Sequence, residues 1–112
     1  MSVTIYHNPK CSKSRQTLAL LQENGVEPKV VEYLQTPPSP DELKALLKKL
    51  GVGPRDVLRR KEAGEEGIDA KLDGDALIAA ISAHPRALER PIVVKGAKAV
   101  LGRPPENVLD LI

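Results

Sequence analysis

Aromatic residues are almost missing from this 112-residue chain, which has two tyrosines, no phenylalanine and no tryptophan. A core must therefore be assembled from Leu, Ile, Val and Ala. The shortage also argues against binding single-stranded nucleic acid, which relies on rings for base stacking. Charge of one sign is scarce as well. A formal net charge of +2 is too small to attract a polyanion such as nucleic acid. Any oxyanion chemistry must come from locally clustered arginines. No apolar run approaches the ~18–20 residues of a membrane span. No N-terminal segment reads as a signal peptide, because MSVTIYHN runs straight into a strand pattern. Cysteine occurs once, which excludes an internal disulfide and a multi-cysteine zinc site. A free thiol without an export signal fits the reducing cytoplasm.

Hydrophobic residues make up 41% and charged residues 29%, ordinary proportions for a globular protein. The length suits one domain over residues 1–112, large enough to bury roughly two-thirds of its unfolded surface. Ser2–Tyr6 (SVTIY) predicts a strand, broken by Asn8-Pro9. Residues 12–23 predict a helix stopped at Asn24-Gly25, and Val30–Leu34 a second strand. This βαβ spacing implies parallel pairing. Ser39, Pro40 and Glu42 spell a capping box. Leu43, Leu46, Leu47 and Leu50 then form one helical stripe ending at Gly51. A short helix is expected from Pro54 to about Arg60, and the charged, glycine-rich residues 61–74 read as a mobile loop. Asp75 to about Ala83 predicts a helix, with His84 as a C-terminal cap. Pro91–Val94 and Ala97–Leu101 predict a hairpin, and a last helix starts at Pro104 or Pro105. A βαβ half and a ββα half with a helical insertion between them is an α/β layout, the thioredoxin-like fold. The loop after the first strand opens at the carboxyl edge of such a sheet, where ligands sit.

That loop is HNPKCSKSR, residues 7–15, and it holds Cys11 among three basic residues. A lone cysteine is commonly a small buried hydrophobe. Asn8, Pro9, Lys10, Ser12 and Lys13 do not suit an apolar core, so a functional thiol is the better reading. At the first turn of a helix, Cys11 faces unpaired N–H groups and the positive end of the macrodipole, and Lys10, Lys13 and Arg15 push the same way. All favour the thiolate, the nucleophilic form. The same N–H groups make an anion pocket, to which Arg15, one turn on, adds a charged fork. His7 could orient the loop, influence the thiolate or cap the strand. The motif CSKS (residues 11–14) carries Ser14 where a second cysteine would resolve a mixed disulfide, so a redox cycle needs an outside thiol. Arg59, Arg90 and Arg103 are further candidates. In thioredoxin-like proteins a cis proline stands where Pro91 does, facing the active cysteine, and would bring Arg90 next to Cys11.

HNPKCSKSR resembles the His-x3-Cys-x3-Arg signature of the glutaredoxin-coupled arsenate reductase family. YLQTPPS, VLRRKE, ERPIVV and LGRPPENVL are similar to that family's segments in the same order, and the resemblance covers residues 3–112. It implies a thioredoxin-like fold with Cys11 as nucleophile. It also implies that Arg59, Arg90 and Arg103 bind arsenate, supported by His7, Ser14 and Pro91. The expected partners are arsenate, glutathione as co-substrate and glutaredoxin, with no bound cofactor, metal, nucleic acid or membrane. Two other readings compete: a monothiol glutaredoxin-like oxidoreductase acting on mixed disulfides, and a regulatory adaptor of the same fold.

Overall fold

The computed structural model describes residues 2–112. Its chain forms two compact units, one comprising residues up to Tyr33 together with Arg90–Ile112, the other Leu34–Glu89. The first unit carries all four strands: β1 (Val3–His7), β2 (Lys29–Glu32), β3 (Ile92–Lys95) and β4 (Lys98–Leu101), with helix α1 (Ser12–Glu23) joining β1 to β2. Sheet order is β2-β1-β3-β4. β1 runs parallel to β2, with Ile5 opposite Val30, and antiparallel to β3, with Ile5 opposite Val93. β3 and β4 form the expected hairpin, with Val93 opposite Val100.

Chain pattern explains these positions. In β1 the alternate residues Val3, Ile5 and His7 are buried, the period of a half-buried strand, whereas its neighbour β3 buries Ile92, Val93 and Val94 in succession. Val3, Ile5, Leu21, Val93 and Val108 make the core of this unit, flanked by Leu18, Leu20, Val26, Val100, Leu111 and Ile112. Each fully buried aliphatic side chain contributes about 1.5–3 kcal/mol, and no aromatic ring belongs to this cluster.

In the second unit, helix α2 (Pro40–Leu50) begins at the expected capping box: Ser39 Oγ accepts from the Glu42 amide at 3.2 Å and Glu42 Oε1 from the Ser39 amide at 3.5 Å. It stops at Gly51, whose φ of 72° is left-handed and suits a residue without Cβ. Leu43, Leu46 and Leu47 are buried, and α2 packs on α4 (Gly74–Ala83), which buries Leu77, Ile78 and Ile81. His84 is the C-cap position of α4, its amide donating to the Ala80 and Ile81 carbonyls.

Two expectations are corrected. The 61–74 stretch is not wholly loop: α3 covers Arg60–Glu65, separated from a 3-10 turn at Pro54–Val57. Its signal is short and hidden among charges. Ala63 is the buried residue of the helix, Arg59 and Glu62 pair at the i,i+3 spacing, and Ile68 N donates back to the Ala63 carbonyl. The C-terminal segment is a 3-10 helix over Pro105–Asp110 rather than a regular helix. It follows Pro104, and its first turn closes by the Asn107 amide donating to the Pro104 carbonyl at 3.0 Å, the i→i−3 bond of a 3-10 helix. No helix among the described residues is long and apolar enough to cross a membrane.

Candidate active site

Cys11 stands at the N-cap of α1, with φ −91° and ψ 123°, so the chain leaves β1 extended and turns into the helix at the thiol itself. Asn8 builds the loop before it. Its side-chain Oδ1 accepts the Lys10 amide at 3.0 Å, an Asx turn, and its carbonyl accepts the Cys11 amide at 3.0 Å. Asn8 is itself buried, a role that the Asn-Pro dipeptide, read only as a strand breaker, did not disclose. Asn8 N–H also donates to Ser14 Oγ at 3.1 Å, and Ser14 Oγ is hydrogen-bonded to His7 Nδ1. Ser14 and His7 are both buried, at 0% and 6% exposure. His7 thus meets the loop through Ser14, a contact compatible with orienting it. Burial holds the His7 pKa below its ordinary value; Glu32 raises it and Arg15 lowers it further. The ring is thus biased to the neutral form, in keeping with a hydrogen-bonding rather than a charge role.

The thiol of Cys11 is half-buried. Burial pushes its pKa up, but this is outweighed by the Ser14 amide, by Arg90 as hydrogen-bond donor and as charge, and by the Lys13 amide, so that it falls below the ordinary value. The expected direction holds, and two of its expected sources act: the helix-terminal amides, here those of residues 13 and 14, and Arg90, brought from far along the chain. The side-chain charges of Lys10, Lys13 and Arg15, also expected to push this way, are not among the causes. The Arg15 guanidinium instead donates to the Pro9 carbonyl at 3.0 Å, bracing the loop. Adjacency in sequence does not bring a charge to the sulfur when the side chains of a helix's first turn radiate outward.

Arg103 reaches the thiol directly. Its Nη2 lies 3.5 Å from Cys11 Sγ, and its Nε donates to the Arg90 carbonyl at 2.6 Å. The Arg90–Pro91 bond is cis, as the fold analogy anticipated, and so is Arg103–Pro104. Arg90 Nε is buried without a protein acceptor. Two guanidinium groups and two helix-terminal amides therefore converge on one sulfur, an arrangement suited to hold a thiolate and to counter the charge of an oxyanion brought against it. Arg59 belongs to the second unit. There it occupies the N-cap position of α3 and pairs with Glu62 at 3.3 Å and Glu89 at 3.6 Å, its amide donating to the Ala87 carbonyl at 2.7 Å. Among the described residues, no group of three His, Cys, Asp or Glu side chains is placed to hold a metal ion.

Known proteins resemble this chain in sequence and fold. A family model described as the ArsC family matches residues 6–111. An arsenate reductase of Neisseria meningitidis (serogroup B, strain MC58) is 50% identical over 110 residues, covering 95% of this chain and 94% of that protein. An uncharacterized protein of Escherichia coli (strain K12), YfgD, is 52% identical over 114 residues, covering 98% and 96%. Among solved structures, an arsenate reductase from Vibrio cholerae superposes with a TM-score of 0.93 at 52% identity, over 100% of this chain and 98% of that one. A lone helix-capping thiol on a mixed four-stranded α/β sheet, matched by a family model over nearly its whole length and by solved relatives at half identity, places this thioredoxin-like chain in the ArsC family.

Proposed function

We propose that this protein is an arsenate reductase in which the Cys11 thiolate attacks arsenic and outside thiols supply the electrons. The observation that carries the reading is the fork of Arg103, which bridges the Arg90 carbonyl and Cys11 Sγ. Attack by a thiolate on arsenate brings two negative groups together, an encounter that is repulsive by several kcal/mol once water is partly excluded. Arg90 and Arg103 supply the counter-charge at the sulfur, and Arg59 is assigned to the arsenate oxygens on its place in the VLRRKE segment. Arg15, read from sequence as an oxyanion fork, is assigned here to holding the loop that presents Cys11, with His7, Ser14 and Pro91 in support.

The electron balance follows from the single cysteine. Sulfur–arsenic bond formation expels one arsenate oxygen as water, leaving arsenic still pentavalent. Reduction to arsenite needs two electrons, and Cys11 has no partner in the chain to form a disulfide. Two outside thiols must therefore be joined as a disulfide while arsenic accepts the electron pair, and water then releases arsenite and returns the thiolate. Glutathione as the first thiol and glutaredoxin as the second fulfil this, with no bound cofactor, in the reducing cytoplasm.

The test is arsenite formation from arsenate with glutathione and glutaredoxin, run beside reduction of a glutathione mixed disulfide. Arsenite formation that disappears in Cys11→Ser supports the reading. Reduction of the mixed disulfide alone would transfer it to the monothiol oxidoreductase class.

A further inference from the structure

Gly102 is glycine for a reason other than backbone freedom. Gly25, Gly51 and Gly67 have φ between 72° and 77°, with nothing within 4 Å of where a Cβ would stand. Gly102 is not among the positive-φ glycines, yet a Cβ there would lie 2.6 Å from Thr17 Oγ1, 2.8 Å from Pro91 Cγ and 3.0 Å from Thr17 Cγ2. None of these atoms can easily move aside. Thr17 is β-branched and 0% exposed, and Pro91 is a buried ring. The backbone of Gly102 is fixed from the same two sides. Its amide donates to the Pro91 carbonyl at 2.9 Å, and its carbonyl lies 3.4 Å from Thr17 Oγ1.

Each of the three bodies that meet here carries one group of the thiolate site. Thr17 is on α1, whose N-cap is Cys11, and its hydroxyl donates to the Lys13 carbonyl at 2.8 Å, within the turn whose amides face the sulfur. Pro91 follows Arg90, and Gly102 precedes Arg103. We propose that Gly102 and Thr17 are positioning residues: the close contact of the Thr17 side chain with the Gly102 backbone sets where Arg90 and Arg103 stand relative to Cys11. The inference rests on the reading of Cys11 as the nucleophile. It says which buried contact makes that nucleophile a thiolate with an oxyanion site around it.

Gly102→Ala, Thr17→Ala and the double variant test it, each by two readouts. The first is the pH midpoint of Cys11 alkylation by iodoacetamide, an uncharged probe that needs no arsenate. The second is arsenate kcat and KM. Gly102→Ala is expected to raise the alkylation midpoint by roughly one pH unit, a tenfold loss of thiolate at fixed pH below it. It should lower kcat/KM for arsenate by about tenfold. The double variant removes both Thr17 atoms from the clash but leaves Pro91 Cγ, so its shift is expected to be smaller than the sum of the two single shifts, whereas independent sites would add their effects. If Gly102→Ala does not fold, Thr17→Ala alone decides, with the same upward shift expected. A folded Gly102→Ala, or failing that a Thr17→Ala, with the native midpoint and native arsenate kinetics overturns the proposal, even if its melting temperature falls. Should the native protein not reduce arsenate at all, the alkylation midpoints still decide the positioning role, so the two readings fail separately.

Discussion

Arg103 Nε donates to the backbone carbonyl of Arg90 across a distance of 2.6 Å, tying the segment just past β4 to the segment that leads into β3. One consequence is that the guanidinium is held by its inner nitrogen while its outer nitrogen addresses Cys11 Sγ at 3.5 Å. A planar, multidentate donor is required for both contacts at once, and an ammonium cannot make them.

Replacement of Arg59, Arg90 or Arg103 by Ala is therefore expected to lower arsenate turnover by roughly tenfold or more each, the cost of one charge-assisted hydrogen bond in the transition state. Arg103→Lys should rescue only in part. Arg86→Ala is the control: its pairs with Glu65 and Glu66 involve side chains 28–52% exposed, and such pairs contribute little. Steady-state arsenite production separates these outcomes. Full activity in all three site variants beside an inactive Cys11→Ser would leave a functional thiol without an arginine anion site.

The lowered pKa of Cys11 sets the pH dependence. Alkylation should follow thiolate fraction, rising with pH and levelling off below the roughly 8.5 of a free thiol. Arg90→Ala removes both a hydrogen bond and a charge from the sulfur, so its midpoint should move up. For folding, the unfolded chain binds more protons than the native one between the two values. The stabilisation is complete above the unfolded pKa and is lost as pH falls through the folded one. A native midpoint at or above that of free cysteine would refute the thiolate assignment.

His7 offers a second pH effect on stability. Burial lowers its pKa, so the folded state resists a proton that the unfolded chain accepts near 6.5. The melting temperature should drop as pH is lowered through 6.5 towards the folded value, and the drop should be smaller in His7→Asn, which keeps a polar atom near the Nδ1 position facing Ser14. Thermal denaturation from pH 8 to 5 compares the two curves. Identical slopes would show that His7 does not carry the effect.

Helix α2 should respond locally. Ser39→Ala removes the cap on the Glu42 amide and is expected to cost about 1 kcal/mol. Gly51→Ala should cost a similar ~1 kcal/mol, because its left-handed φ of 72° is strained for alanine although nothing crowds the site. Urea denaturation measures both. The Cys11 alkylation midpoint should stay native in each.

Residues 39–51 also show what can be read without coordinates. Ser39, Pro40, Glu42 and Gly51 act within one or two turns of themselves, so their identities suffice for the bounds of α2. The same holds for the βαβ order, since strand period and crossover length are local, and for Cys11 at the mouth of α1. Where a local signal was diluted, as at α3, where Ala63 is buried among charged neighbours, the reading as loop failed. The set of groups around the thiol was legible only in part. His7, Ser14, Arg90 and Arg103 could be nominated, and Arg90 was placed beside the sulfur by the fold analogy, but the charges of Lys10, Lys13 and Arg15 were added to it without acting there. Arg15 turns to Pro9, while Arg103, 92 residues away, turns to Cys11. Thr17 and Gly102 could not be nominated at all, because each is unremarkable in its own segment and their 3.4 Å contact spans 85 positions. The sequence by itself determined the elements and placed a thiol at a helix N-terminus, because capping and period act over a few residues. Only the tertiary structure decided which cations reach that thiol, because that depends on side-chain direction and on atomic contacts between segments whose separation in the chain carries no such information.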